Sequence, residues 1–169
     1  GIKEFFYLFT RERVLASFYV SFITALTASL INAVMGIVLA WVLVRYEFPG
    51  KRIMDGMIEL PFALPTAVAG IALTSLTSDN GLVGKFFNQF GIKIAYTRIG
   101  ITIALVFIGI PFVVRAVQPV LEKLDGSYEE AAMVLGAKPG TIFRKVIFPE
   151  LMPALFTGTG LAFGRCLGE

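Results

Sequence analysis

Charged residues are absent from four long stretches of the chain, and these stretches set the predicted architecture. The first lies between Arg13 and Arg45, where 31 consecutive residues carry no charge. As an α-helix this stretch would be about 46 Å long, more than the ~30 Å hydrocarbon core of a bilayer. Shorter uncharged runs follow at Leu60–Ser78, Ile99–Val114 and Leu151–Gly164. The pattern predicts an all-α polytopic membrane protein with a bundle of about four transmembrane helices.

The shorter runs carry residues that make them irregular as spans. Pro61 and Pro65 stand at the start of the second run, so its first turns are expected to be kinked or broken. The third run is short unless Arg115 faces protein or reaches the membrane surface, in which case the helix extends towards Val120. The fourth run meets Arg165 near the chain end and is expected to be incomplete. Because the first residue is Gly rather than Met, we expect a fragment of a longer protein.

The composition supports a membrane location and excludes several kinds of chemistry. Hydrophobic residues make up 56% of the 169 residues and charged residues 16%, against about 45–50% and 25% in soluble domains. Mean hydropathy is +0.78. His is absent and Cys166 is the single cysteine, which excludes His-based catalysis, internal disulfides and multi-Cys metal sites, so we expect no cofactor and no metal. The net charge of +3 is too small to indicate nucleic-acid binding.

Two of the predicted spans carry stripes of small residues, a pattern that lets helix backbones approach closely. On the first span, small or hydroxylated residues recur at steps of three and four: Ser17, Ser21, Thr24, Ala28 and Asn32. On the last span, helix packing is assigned to a GxxxGxxxG run, with a second set of small residues on an adjacent face: Gly160, Gly164 and Gly168, then Ala154, Gly158 and Ala162. Arg165 and Glu169 lie four residues apart beside this run. Three arrangements are open: the two residues form an ion pair, Arg165 extends to the membrane surface, or the two charges have a function within the membrane.

The segment from residue 115 to residue 150 is the most polar and holds ten of the 27 charged residues. The pattern Ser127–Glu130 is that of a capping box, which predicts a short helix beginning after Ser127. Gly136 fits the left-handed position that follows such a helix. A second helix is expected from Pro139 to the residue before Pro149. The segment therefore predicts a helix–Gly–helix element outside the membrane, suited to docking a partner.

The distribution of basic residues bears on which side of the membrane this element occupies. Successive loops alternate sides, so segments 45–57 and 115–150 are expected on the same side. Together they hold eight Lys and Arg residues, against six in the N-terminal segment and the loop 79–98. The positive excess favours a cytoplasmic location for segment 115–150.

The helix–Gly–helix segment resembles the EAA loop of binding-protein-dependent ABC importers. The family pattern is EAA, three residues, Gly, nine residues, Ile, any residue, Leu and Pro. The chain matches it at Glu130, Ala131, Ala132, Gly136 and Pro149, with Val146 and Phe148 in place of Ile and Leu. Nearly the whole chain is also similar to the T subunits of sulfate/thiosulfate permeases, through Val44–Arg52, Leu60–Leu73, Pro111–Glu122 and Gly164–Glu169. Cys166, where that family usually has Ala, is a small departure.

The resemblance implies a role and a set of partners. Residues 1–169 would be part of one transmembrane permease domain, and residues 115–150 a cytoplasmic coupling loop in which the matched EAA residues seat in an ATPase. The chain would form the translocation path without being an enzyme, since separate ABC ATPase subunits hydrolyse ATP. Further implied partners are a second permease subunit, the lipid bilayer, and an extracytoplasmic sulfate-binding protein that faces the N-terminal segment and loop 79–98. The implied location is the bacterial inner membrane or, alternatively, a plastid membrane.

Other functions stay open on the residues alone. A molybdate or tungstate permease of the same family shares the last motif, a membrane-embedded enzyme is disfavoured by the lack of His and of paired acids in the spans, and a non-transporting scaffold is a further alternative. No substrate residue is assigned. Backbone amides at the break near Pro61 and Pro65 could hold a dianion, and Arg98, Arg115 or Arg165 could attract one.

Overall fold

A computed structural model of the chain describes residues 12–124 and 126–169, and within those ranges it contains helices and no strand. The helices in chain order are α1 (Glu12–Arg45), α2 (Lys51–Ala63), α3 (Thr66–Thr77), α4 (Leu82–Asn88), α5 (Arg98–Lys123), α6 (Ser127–Val134), α7 (Pro139–Ile142) and α8 (Phe148–Leu167). A π-helical turn, Phe143–Ile147, joins α7 to α8. The N-terminal segment 1–11, which was expected to face a binding protein, lies outside the described residues, as does position 125.

Three long helices form the bundle, in which α5 packs against both α1 and α8. Of these, α1 has 34 residues, α5 has 26, and the rod from Pro139 to Leu167 has 29. Each is long and apolar enough to cross a membrane, and the bent pair α2–α3 makes a fourth crossing if it counts as one span. The all-α architecture predicted from the uncharged runs is confirmed for the described residues.

One face of α1 is small and buried, while the opposite face is bulky and exposed. The predicted stripe divides along the helix: Thr24, Ala28 and Asn32 are buried, whereas Ser17 and Ser21 are exposed. The buried face continues at Gly36, where a Cβ would overlap the side chain of Val113 on α5. Leu30, Val34 and Val38 point away from the bundle. This arrangement is expected where one side of a helix contacts neighbouring helices through small residues and the other contacts lipid.

The second uncharged run is broken rather than continuous, and the helix direction turns by 118° between α2 and α3. Leu64 lies between them in an extended conformation, with φ −93° and ψ 134°. The cause is local, since the ring of Pro65 disfavours the helical conformation for the residue before it. Pro61 is accommodated near the end of α2. Of the two expected outcomes, a kink or a break, the break is therefore confirmed, and it divides the run between the end of α2, which begins earlier at Lys51, and α3.

The last span begins earlier than predicted. A second helix ending before Pro149 and a separate span from Leu151 were expected, yet the chain is helical without a break from Pro139 to Leu167. Pro149 has no N–H to donate, and the π turn comes directly before it, with the Phe148 amide bonded to the Phe143 carbonyl. Because Ile147 and Leu151 on either side are buried, packing keeps the rod helical through the proline.

Candidate functional site

The helix–Gly–helix element is formed by α6, a glycine turn and α7. Gly136 has φ +81°, a left-handed conformation that a residue with a Cβ adopts at a cost. The amide of Gly136 donates to the Met133 carbonyl at 2.9 Å, and the amide of Ala137 donates to the Ala132 carbonyl at 3.0 Å. These two bonds form a Schellman motif, which satisfies the free carbonyls at the end of α6. The predicted role of Gly136 as helix terminator is confirmed.

The start of α6 differs from the prediction. Ser127 is the first helical residue rather than the cap, and Gly126 occupies the capping position. The amide of Glu130 donates to the Gly126 carbonyl at 2.9 Å, with no side-chain capping bond. The predicted capping box is wrong, because the helix begins one residue earlier and the Ser127 side chain no longer faces the free amides.

The structure places four of the five residues matched to the EAA pattern on or directly after α6. Glu130, Ala131 and Gly136 are exposed, whereas Ala132 is half-buried and packs against the edge of the main apolar core. The fifth residue, Pro149, is also exposed but lies in the first turn of α8, beyond α7 and the π turn. The pattern therefore spans two features, a surface helix and the start of the last membrane rod.

Apolar side chains dominate the outward surface of α6 and its end. The most exposed are Tyr128 at 61%, Met133 at 53%, Val134 at 87% and Leu135 at 86%. Such a patch is unusual on a segment outside the uncharged spans, and it indicates a contact with another protein or a membrane. We call Tyr128, Met133, Val134 and Leu135, together with Glu130 and Ala131, the docking surface.

An ion pair that the sequence did not indicate joins α6 to the bundle. Arg45, the last residue of α1, donates from Nη2 to Oε1 of Glu129 at 2.6 Å and to the carbonyl of Leu124 at 3.1 Å. Its guanidinium carbon lies 5.6 Å from the centre of the Trp41 ring, a cation–π distance. Trp41 in turn meets Phe143 of the π turn edge-on at 5.6 Å. Since Arg45 and Glu129 are 84 residues apart, no local pattern could have revealed the pair.

A second arginine connects the bent pair to the bundle. Arg115 of α5 donates to Asp55 at 2.9 Å and to Glu59 at 2.7 Å, both on α2. Of the two expectations for Arg115, the one in which it faces protein is confirmed. The pairs made by Arg45 and Arg115 also bring segments 45–57 and 115–150 to the same end of the bundle, as the alternation of loops predicted.

The two glycine-bearing faces of α8 have different surroundings. A Cβ on Gly158 would lie 2.9 Å from Val113 Cα on α5, so this face packs in close contact, with Ala162 fully buried beside it. The predicted packing residues Gly160, Gly164 and Gly168 are exposed, and at the first two a Cβ would meet nothing within 4 Å among the described residues. Packing of this face therefore stays a prediction about contacts outside the described chain.

The charged residues at the end of α8 pair with each other. Arg165 and Glu169 form an ion pair one helical turn apart, which is one of the three arrangements that the sequence left open. Cys166 on the buried face donates from its thiol to the Leu105 carbonyl at 3.4 Å, giving α8 a polar contact to α5. Among the described residues there is no group of His, Cys, Asp and Glu that could hold a metal ion.

Comparison with known proteins places this arrangement in a family. The family model for the inner membrane component of binding-protein-dependent transport systems matches residues 32–169, which include the docking surface and all three bundle helices in whole or part. The chain belongs to this family. The family description and the apolar helices agree that the chain is a multi-pass helical membrane protein.

Relatives of known name are similar along nearly the whole chain. The sulfate transport system permease protein CysT of Salmonella typhimurium is 54% identical over 160 residues, or 95% of the chain, and that of Escherichia coli is 50% identical over 166 residues, or 98%. A probable sulfate transport system permease protein of Chlorokybus atmophyticus is 50% identical over 167 residues. The chain spans about 58–60% of the length of these relatives. They are named as permease proteins of transport systems, not as enzymes.

Proposed function

We propose that this chain is part of a membrane-spanning permease subunit of an ATP-driven sulfate or thiosulfate importer, and that α6 docks on a separate cytoplasmic ATPase. The observation that carries the proposal is the docking surface, where four large apolar side chains, between half and nine-tenths exposed, lie on or directly after a helix outside the spans. Membership of the transport family and about 50% identity to sulfate permease proteins support the substrate class.

Transmission of the ATPase movement would follow the covalent path from α6 to α8. A displacement of the docking surface would be transmitted through the tight turn at Gly136 to the rod that runs from Pro139 to Leu167. Since this rod has no helical break and is packed against α5 through Gly158, displacement of its outer end moves the bundle interface. By the same reasoning Pro149, in the first turn of α8, would contribute to coupling as part of the rod.

The remaining partners belong to the proposal as well. Residues 115–150 form the coupling loop within a permease domain to which residues 1–169 contribute. A second permease subunit is the candidate for the open face of α8 at Gly160, Gly164 and Gly168. An extracytoplasmic sulfate-binding protein would meet the opposite end of the bundle, at the loop 79–98 that contains α4, in a bacterial inner membrane or a plastid membrane.

Replacement of Gly136 by aspartate tests the coupling role. Aspartate is one of the few residues that tolerate a left-handed backbone, so the expected effect comes from the new carboxylate, which would have to lose water beside Leu135 when the surface docks. We expect Gly136→Asp to abolish ATP-dependent uptake into proteoliposomes that contain the full-length complex, while the subunit still inserts. The matched control is Gly140→Asp, which adds the same charge on α7 at a site where a Cβ meets nothing within 4 Å. Normal uptake by Gly136→Asp would contradict the coupling role.

The transported anion needs its own experiment. Uptake of labelled sulfate by the same proteoliposomes should be inhibited by unlabelled thiosulfate and should resist an equal concentration of molybdate or tungstate. The opposite order of inhibition would support the alternative, a molybdate or tungstate permease of the same family. Neither result depends on assigning a substrate residue, and we assign none.

A further inference from the structure

The coupling helix α6 has few ties to the rest of the chain. It contributes no buried residue, and only Ala132 packs against the main core. It is bounded by Gly126 on one side and by the left-handed Gly136 on the other. A short helix between two glycines turns easily as a rigid unit, so pressure on its outer surface would rotate it instead of moving the bundle unless something holds it.

Arg45 makes contacts that can hold α6 in place. One guanidinium nitrogen bonds both the Glu129 carboxylate, in the first turn of α6, and the Leu124 carbonyl, at the end of α5. Arg45 itself ends α1. A single side chain therefore joins the ends of two membrane helices to the coupling helix, and the side chains of Arg45 and Glu129 are each only 22% exposed.

The aromatic residues beneath Arg45 extend the link to the last rod. The Trp41 ring lies under the guanidinium and meets Phe143, and Phe143 packs against Phe148 at 6.0 Å between ring centres. Trp41 and Phe143 both belong to the rim of the main core. The position of Arg45 is thus set by packed rings, and Glu129 is held in a defined place.

The two adjacent carboxylates of α6 have opposite surroundings. Glu129 is half-buried and paired to the bundle, whereas Glu130 is exposed on the docking surface. Both carboxylates lie in the first helical turn, where the helix dipole favours negative charge, so the dipole alone does not distinguish them. What distinguishes them is Arg45.

We propose that Arg45 is a positioning residue that clamps the coupling helix to the ends of α1 and α5 through Glu129. The clamp makes α6 move with the bundle, so that a displacement at the docking surface is transmitted and not lost in rotation about its flanking glycines. Its effect on transport rests on the proposed function, whereas its effect on the position of α6 does not.

Distances measured by spin labels in the full-length complex test the clamp directly. Labels at Ser127 and Ile53, both exposed, report the position of α6 relative to α2. We expect a narrow distribution of distances in the unmodified complex and a broad one in R45Q and in E129Q. The exchanged pair R45E/E129R should partly restore the narrow distribution of distances, because the two charges again attract each other. The restoration should be incomplete, because glutamate at position 45 cannot donate to the Leu124 carbonyl.

The matched control removes a different ion pair of the same length at the same end of the bundle. Lys51 and Glu47 also lie 2.6 Å apart, but Glu47 is 88% exposed and the pair does not touch α6. We expect K51Q to leave the distances and the transport unchanged. In proteoliposomes, R45Q and E129Q should lower sulfate uptake per ATP hydrolysed by about tenfold, with the ATPase still bound. A tenfold loss corresponds to an ion pair whose energy lies between that of an exposed pair and that of a buried pair.

The two measurements separate failure of the clamp from failure of the proposed function. Narrow distances in R45Q and E129Q would overturn the clamp, whatever the complex transports. Broad distances that the exchanged pair leaves fully broad would overturn the role of Glu129 as the partner. If the unmodified complex moves no sulfate but the distances change as expected, the clamp stands and the proposed function fails.

Discussion

Alanine at Gly158 should force α5 and α8 apart, because the atoms that it would meet cannot move aside. A Cβ there would lie 2.9 Å from Val113 Cα and from Ala116 Cβ, and 3.0 Å from the Phe112 carbonyl oxygen. Carbon atoms pack best at about 3.5–4.0 Å, so the two helices must separate by about 0.6 Å or more. Two of the three obstacles are backbone atoms of α5, which no change of rotamer removes.

The expected loss of stability follows from the balance of two terms. Overpacking a close interface costs about 1–3 kcal/mol, whereas alanine is favoured over glycine within a helix by about 1 kcal/mol. Gly160 lies two residues further, on the open face. Gly160→Ala should gain the helix propensity of alanine without the cost of overpacking, since a Cβ there meets nothing within 4 Å. The free energy of unfolding should therefore be about 1–3 kcal/mol lower for Gly158→Ala than for Gly160→Ala.

Unfolding of the full-length subunit in mixed micelles, followed as the fraction of SDS rises, measures this difference. Equal midpoints for Gly158→Ala and Gly160→Ala would refute the close crossing of α5 and α8. A second comparison uses Gly36 of α1, whose obstacle is the Val113 side chain. Val113→Ala should therefore recover part of the stability lost in Gly36→Ala, but none of that lost in Gly158→Ala.

Three further predictions concern single sites and use the same unfolding assay unless stated. The amide atoms of Asn32 are buried without a hydrogen-bond partner among the described residues, so Asn32→Leu should raise the free energy of unfolding by about 1 kcal/mol; a loss would indicate a partner for this amide. Arg115→Gln should lower it by about 1 kcal/mol, since Asp55 and Glu59 lose their partner but stay partly exposed, and an unchanged midpoint would mean that these pairs contribute nothing. Gly136→Val should speed amide hydrogen exchange in α6, whereas Gly136→Asn, which tolerates a left-handed backbone, should leave exchange nearly unchanged; equal rates in both would contradict the φ of +81°.

Features that depend on neighbouring residues followed from the sequence. The end of α6 at Gly136 was predictable because the bonds that close it join residues three and five apart. The break near Pro65 was predictable because a proline restricts the residue directly before it. The capping box failed even though it is local, since a shift of one residue in the helix start changes which side chain faces the free amides.

The start of the last rod shows how tertiary packing overrides a local signal. Pro149 predicts a helix end because it cannot donate a backbone bond, yet the chain stays helical through it by way of a π turn. Ile147 and Leu151 are both buried in the core against α5 and its neighbours. The free energy gained by burying these two side chains in a continuous helix exceeds the free energy lost with the one backbone hydrogen bond that Pro149 cannot make.

The sequence by itself determined that the chain is helical, that it spans a membrane several times, and that a helix–Gly–helix element follows the third apolar run. It did so because charge in a bilayer is costly and because turns are closed by residues close in sequence. The tertiary structure decided which glycine face of α8 meets α5, where Arg115 points, and that Arg45 pairs with Glu129. Those features depend on side chains that are tens of residues apart, which meet only when the helices have packed.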